Sequence, residues 1–362
     1  MPVGLWLSQS ALAELASDSN ATAISDFADW LAKKGLDPFT LNGFPQGNFH
    51  QGVVKHDVCL PTWATDERLQ YTKTLATVHS ALLGRCDHEG LQTISTLPLG
   101  WPSIPKSQLF SEGVDFLNQC AANLKSLAQF LSELRHEQGR HVMVCLEPEP
   151  GCVLDSCDDI VRFFREHLLS GDSATNDTVL DHLGICHDVC HSAVMFEDQE
   201  TAVAAYGDTG IQIGKVQVSS AVKVLFGEGM FAQSQRVQLE SFAEARYLHQ
   251  TSVRSVGQTR FYEDLADALR AEEMHTGAEW RVHFHVPIFL DSLGQLSTTQ
   301  GEIQNFLTAI EKHGVSIPHF EIETYAWNVL PQQYRRVAAD LASGIAEEVR
   351  WFKDQVTATE NR

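Results

Sequence analysis

Five carboxylates and three histidines stand at the ends of apolar runs in this chain. VMVCLEPEPG (142–151) ends in Glu147 and Glu149. HLGICHDVCH (182–191) delivers Asp188 and, three positions on, His191. RVHFHVP (281–287) carries His283 and His285, and HFEIET (319–324) ends in Glu321 and Glu323. A carboxylate in a buried strand is costly unless it is paired or coordinated. Lys and Arg are scarce beside these strands, which favours metal ligation over buried salt bridges for Glu147, Asp188 and Glu323. Glu149 and Glu321, two residues away, are the runners-up, although Pro148 and Pro150 disturb the alternation at Glu149. His283 and His285 point to one side of their strand and Phe284 to the other. The plain reading of His191 is a helix-start histidine bonded to a carbonyl; the functional one is a site residue. Gln217, on IGKVQVSS (213–220), offers a carbonyl, a weak ligand.

Oxygen ligands joined by one or two imidazoles suit Mn²⁺, Zn²⁺, Co²⁺ or Mg²⁺. Such an ion polarises a carbonyl or alkoxide. A carboxylate left free beside it can move a proton at the adjacent carbon. The combination fits isomerisation or epimerisation of a sugar, cyclitol or related polyol. It also fits metal-assisted hydrolysis.

Ligands from separate strands meet at the C-terminal ends of the strands in a (β/α)₈ barrel, and the chain reads that way in order. Strands are expected at 3–7, 39–42, 91–97, 141–147, 183–188, 213–220, 281–287 and 319–324. Helices alternate with them. One spans about 20–34, with Trp30 and Leu31 facing in. Another, at 111–137, has Leu117, Cys120, Leu124, Leu127, Leu131 and Leu134 on one stripe and Gly139 as its stop. The last is expected over 332–353. Such alternation points to a parallel sheet covered by helices. The expectation is a single α/β barrel domain over 1–362, with long loops after strands two and six; the second holds helices at 235–246 and 261–273. An open doubly wound sheet is the alternative, but no Gly-x-Gly-x-x-Gly turn follows any strand.

Composition narrows the partners. The formal charge is −21 with no basic block, which argues against nucleic acid and anionic membranes. No run of about 18 uncharged apolar residues suggests a membrane span. The N-terminus lacks the basic region of a secretion signal. The eight cysteines are therefore read as reduced thiols in a cytoplasmic protein.

EPEPG (147–151), HDVCH (187–191) and EIET (321–324), in this order, resemble the xylose-isomerase-like TIM-barrel superfamily of sugar isomerases, ketose 3-epimerases and endonuclease IV-type enzymes. TLNGFPQGNFH (40–50), HDVCLPTW (56–63), STLPLGW (95–101) and KVQVSSA (215–221) look like the EboE-type metabolite traffic proteins of ebo gene clusters. The resemblance implies one divalent metal held by Glu147, Asp188, the position of Gln217, and Glu323. Glu147 and Glu323 double as the acid/base pair, and His191 binds substrate. Gln217 stands where the epimerases have His. The endonuclease branch implies a second metal on His191, His283 and His285, though His-x-His here replaces Asp-x-His. Further substrate contacts are expected from Glu149, His285, Asn42, His50, Trp101 and His249, with partner proteins from the same cluster. A non-catalytic binding protein and a metal-dependent phosphoesterase are the alternatives.

Overall fold

The computed structural model describes residues 1–17, 22–83, 90–271, 275–317, 319–323, 327, 329–334 and 340–360. Its strands are β1 (Pro2–Trp6), β2 (Asp37–Asn42), β3 (Gln92–Thr96), β4 (Val142–Leu146), β5 (Leu183–Asp188), β6 (Ile213–Val218), β7 (Ala221–Leu225), β8 (Thr251–Ser255), β9 (Gln258–Tyr262), β10 (Glu279–His285), β11 (Ser292–Leu293), β12 (Leu296–Thr298) and β13 (His319–Ile322). Seven of them form one sheet in the order β1-β2-β3-β4-β5-β6-β13. The pairs from β1 to β5 are parallel, with Thr40 opposite Thr93, Ser95 opposite Cys145 and Leu146 opposite Ile185. Each strand is added at the same edge as the chain proceeds. A doubly wound sheet reverses direction at a switch point; this sheet does not, so its winding is of the barrel type.

The chain folds as two compact units. The first is Met1–His187 with Ala205–Lys215 and Ile317–His319; the second is Asp188–Ala204 with Val216–Ser316 and Phe320–Arg362. In the first unit, β3 and β4 are wholly buried; β4 is an unbroken apolar run, as expected of a strand covered on both faces, whereas β3 buries Gln92, Thr93, Ser95 and Thr96 around a single apolar Ile94. Glycine makes the packing possible at one point. A Cβ on Gly184 would lie 2.6 Å from Met143 Sδ and 2.7 Å from the Gln212 carbonyl, so the Met143 side chain occupies the space that β5 leaves open. The long helix Val114–Gln138 buries all six residues of the expected stripe. It stops at Gly139, whose φ of 70° lets its N–H reach the Arg135 carbonyl at 2.8 Å. Trp30 departs from expectation: it is 51% exposed and stacks on Phe27, while Leu31 is buried.

The second unit differs most from the sequence reading. β10, expected as the seventh barrel strand, lies instead in an antiparallel sheet of order β11-β12-β7-β10-β8-β9. The expected loop after β6 is largely this sheet. The helices there are Gly229–Glu240 and Leu265–Ala271, with the β8–β9 hairpin between them. Its two-residue turn, Val256-Gly257, has φ of 49° and 76°, both positive as a type I′ turn demands. That position favours Asn, and a Val that is 99% exposed hides the signal. Trp280 and Phe284 of β10 anchor the core, edge-on to Phe226 and Phe242 at 5.4 and 5.1 Å between centroids. The last helix is Leu341–Glu360, and Asp340 caps it by taking the Ser343 N–H at 2.8 Å. Residues 335–339 of the span expected for it lie outside the described residues.

Seven cysteines are buried free thiols; Cys86 lies outside the described residues. No helix among the described residues is long and apolar enough to cross a membrane.

Candidate metal centre

Asp188 ends β5 and caps the helix Val189–Val194. Its Oδ1 accepts from the His191 amide at 3.0 Å and from the Ser219 hydroxyl at 2.6 Å, and Ser219 Oγ in turn accepts from the Cys190 amide at 2.9 Å. These bonds fix the carboxylate and leave Oδ2 buried without a hydrogen-bond partner. Burial works against the Asp188 charge. The neighbouring His191 and His285, the Ser219 hydroxyl and the His191 amide outweigh it and hold the carboxyl below its usual range.

Two buried imidazoles flank that oxygen, and a third, His283, adjoins both of them. His191 Nε2 is 3.6 Å from Asp188 Oδ2 and His285 Nε2 is 4.0 Å from it. His191 Nε2 is 3.2 Å from His283 Nε2, and His283 Nε2 is 3.2 Å from His285 Nε2. A tetrahedral ion with bonds of about 2.1 Å separates its ligand atoms by about 3.4 Å. The four distances within the Asp188–His191–His283–His285 set bracket that value. The period-2 geometry of β10 supplies the two adjacent rings.

The far nitrogens of the β10 pair face side chains. His283 Nδ1–H donates to Gln250 Oε1 at 2.8 Å. His285 Nδ1 lies 3.0 Å from Glu323 Oε2, close enough for an ion pair but poorly aimed for a hydrogen bond. His283 Nε2 then carries a lone pair and lies within hydrogen-bond distance of His285 Nε2, at 3.2 Å. His283 thus shows the pattern of an imidazole ligand braced by an acceptor on its far nitrogen, and the side chains of Asp188, His191 and His285 beside it are of the types that hold a divalent metal.

The remaining expected site residues fall as follows. Gln217, on β6, donates from Nε2 to Glu323 Oε1 at 3.0 Å, and its own Oε1 is buried without a partner. Glu323 therefore meets Gln217 through one oxygen and His285 through the other. Glu147 and Glu149 are buried in the first unit. The Glu147 amide bonds the Thr96 carbonyl at 2.9 Å, and Glu149 opens a turn closed by Cys152 N to Glu149 O at 3.0 Å. Asn42 Oδ1 accepts from the Phe44 amide, a local turn bond. His50 is exposed against Trp6, and Trp101 packs edge-on to His56 at 4.5 Å. His249, expected as a substrate contact, is buried. It bonds the His283 carbonyl through Nδ1 and Glu244 through Nε2, both at 3.0 Å, and so braces β10. Glu321 and Glu323 flank Ile322 at the end of β13. Ser219 and Gln250 are the participants that sequence reading missed. Their signal is only that each is a polar residue next to a strand end, and the partner is set by tertiary structure.

No family model and no curated protein matches the sequence. Among solved structures, the chain is similar to a D-tagatose 3-epimerase-like protein, at 11% identity and TM-score 0.48, covering 99% of each chain. It is similar to the IOLI protein with a bound zinc atom, at 11% identity and TM-score 0.43, again covering 99% of each. It is also similar to the probable 3-DHS dehydratase AsbF of Bacillus anthracis, at 12% identity and TM-score 0.40, covering 89% of this chain and 81% of that one. These likenesses are weak, and the functional assignment rests on the residues of the site.

Proposed function

We propose that the chain is a divalent-metal enzyme acting on a sugar, cyclitol or related polyol, as an isomerase or epimerase. One observation carries the reading: the Nε2 atoms of His191 and His285 lie 3.6 and 4.0 Å from the buried Asp188 Oδ2, and His283 Nε2 lies 3.2 Å from each of those two rings. Asp188, His191, His283 and His285 hold the ion in this proposal. When bound, it polarises the oxygen of a carbonyl or alkoxide at the reacting carbon. Glu323 lies 3.0 Å from His285 Nδ1, and Gln217 holds Glu323. Glu147 and Glu323 keep the acid/base role that the sequence resemblance implies, with the whole chain working as one barrel domain. The finer reading is an EboE-type role in the cytoplasm beside partner proteins of an ebo cluster, and it rests on the sequence motifs alone.

One observation favours a second reading, metabolite binding without turnover. Glu323 already receives the Gln217 amide through one oxygen and faces His285 with the other, so both of its oxygens are engaged within the protein. Exchange of deuterium from solvent into a panel of ketoses and cyclitols separates the two. The enzyme reading expects metal-dependent exchange at carbon that is lost in Glu323→Gln. Exchange absent across the panel, with ligand binding retained, contradicts it.

A further inference from the structure

A second cluster of metal-type ligands lies at the other end of the same strands. His141 immediately precedes β4, and Asp181 and His182 immediately precede β5. Strand β5 separates His182 from Asp188 by six residues, about 20 Å of extended chain. Each of His141, Asp181 and His182 offers a ligand atom within 4.8 Å of the others.

The chemistry of each group suits a cation. His182 is buried, and its Nδ1–H donates to the Val142 carbonyl at 2.8 Å. His141 Nε2–H donates to the Asp181 carbonyl at 2.7 Å. Each ring thus gives one N–H to the main chain and offers its other nitrogen as a ligand atom, the arrangement of a braced metal ligand. The rings stand edge-to-face at 5.1 Å. The Asp181 carboxylate is 54% exposed and gives one oxygen to Arg135 at 3.0 Å, which leaves the other free. A polar cavity of about 380 Å³, lined by Ser132, Asp177, Thr178, Asp181 and His182, opens beside the cluster. It provides an entry path and a second carboxylate in Asp177. Strand-start histidines that merely cap carbonyls would account for the two N–H donors. They would not account for a carboxylate beside both rings and an open cavity at His182.

We propose that His141, Asp181 and His182 form a second metal site, taking Zn²⁺ or a similar borderline ion and tying the N-terminal ends of β4 and β5 together. Two imidazoles and one carboxylate complete three positions of a tetrahedron and leave the fourth for water. The Arg135 guanidinium competes with the ion for Asp181.

The test is calorimetric titration of chelator-free protein with zinc chloride. Wild type shows a zinc site that survives in Asp188→Ala, is weakened at least about tenfold in His141→Gln, and tightens several-fold in Arg135→Gln. Unchanged zinc binding in His141→Gln, or its complete loss in Asp188→Ala, overturns the proposal. Should His141→Gln fail to fold by circular dichroism, Arg135→Gln decides alone: unchanged or weaker binding overturns the site. The Asp188 arm also keeps this result apart from the fate of the Asp188 centre.

Discussion

Two of the imidazole–carboxylate clusters among the described residues are braced in opposite ways. At Asp188 the far nitrogens of His283 and His285 face the side chains of Gln250 and Glu323, and every ring is buried. At Asp181 the far nitrogens of His141 and His182 meet main-chain carbonyls, and the carboxylate stands half in solvent against an arginine. Side-chain braces can be tuned by substitution and include a charge. Main-chain braces cannot be mutated away, and they add no charge. The buried centre thus suits the catalytic ion of the proposed function, and the outer cluster the weaker, structural ion of the proposed second site.

That contrast can be broken at the braces. Gln250→Ala removes the acceptor behind His283 without touching a ligand. It should weaken metal binding at the Asp188 centre by about 10–100-fold, read by competition with a chelating dye, and leave the outer cluster unchanged. Equal weakening at both clusters would erase the distinction. A smaller effect is expected from Ser219→Ala. The Asp188 carboxylate then loses a 2.6 Å donor while buried. The expected cost is about 1–3 kcal/mol of stability in urea unfolding, recovered in part when metal is added. A neutral result would mean that the Asp188 charge is compensated by other groups.

The parallel strands were legible because each is a short stretch rich in apolar and β-branched residues between helical periods, β4 being an unbroken apolar run. The acid at the end of β5 was legible because nothing cationic stands near it in the sequence. The antiparallel sheet was not. Its strands are five to seven residues long in β7 to β10, β9 is mostly exposed, and its hairpin turn carries Val256 where Asn would announce it. As a result β10 reads as one more barrel strand, although the spacing of His283 and His285 on one side of it is readable whichever sheet it joins. The expected ligand set centres on Glu147, Asp188, Gln217 and Glu323. The three histidines that converge on Asp188 read in the sequence as ligands of a second metal, because convergence across 92 residues is a property of packing, not of spacing. Gln250 and Ser219 were invisible for the same reason.

The most direct test of the central claim is metal content by mass spectrometry on wild-type protein purified without chelator, set beside Asp188→Ala and His283→Gln. The account predicts one more equivalent of a divalent transition metal in wild type than in either variant, with all three folded by circular dichroism. The same metal count in all three folded proteins would contradict it, and the convergence of imidazoles on Asp188 would then be a packing arrangement without an ion.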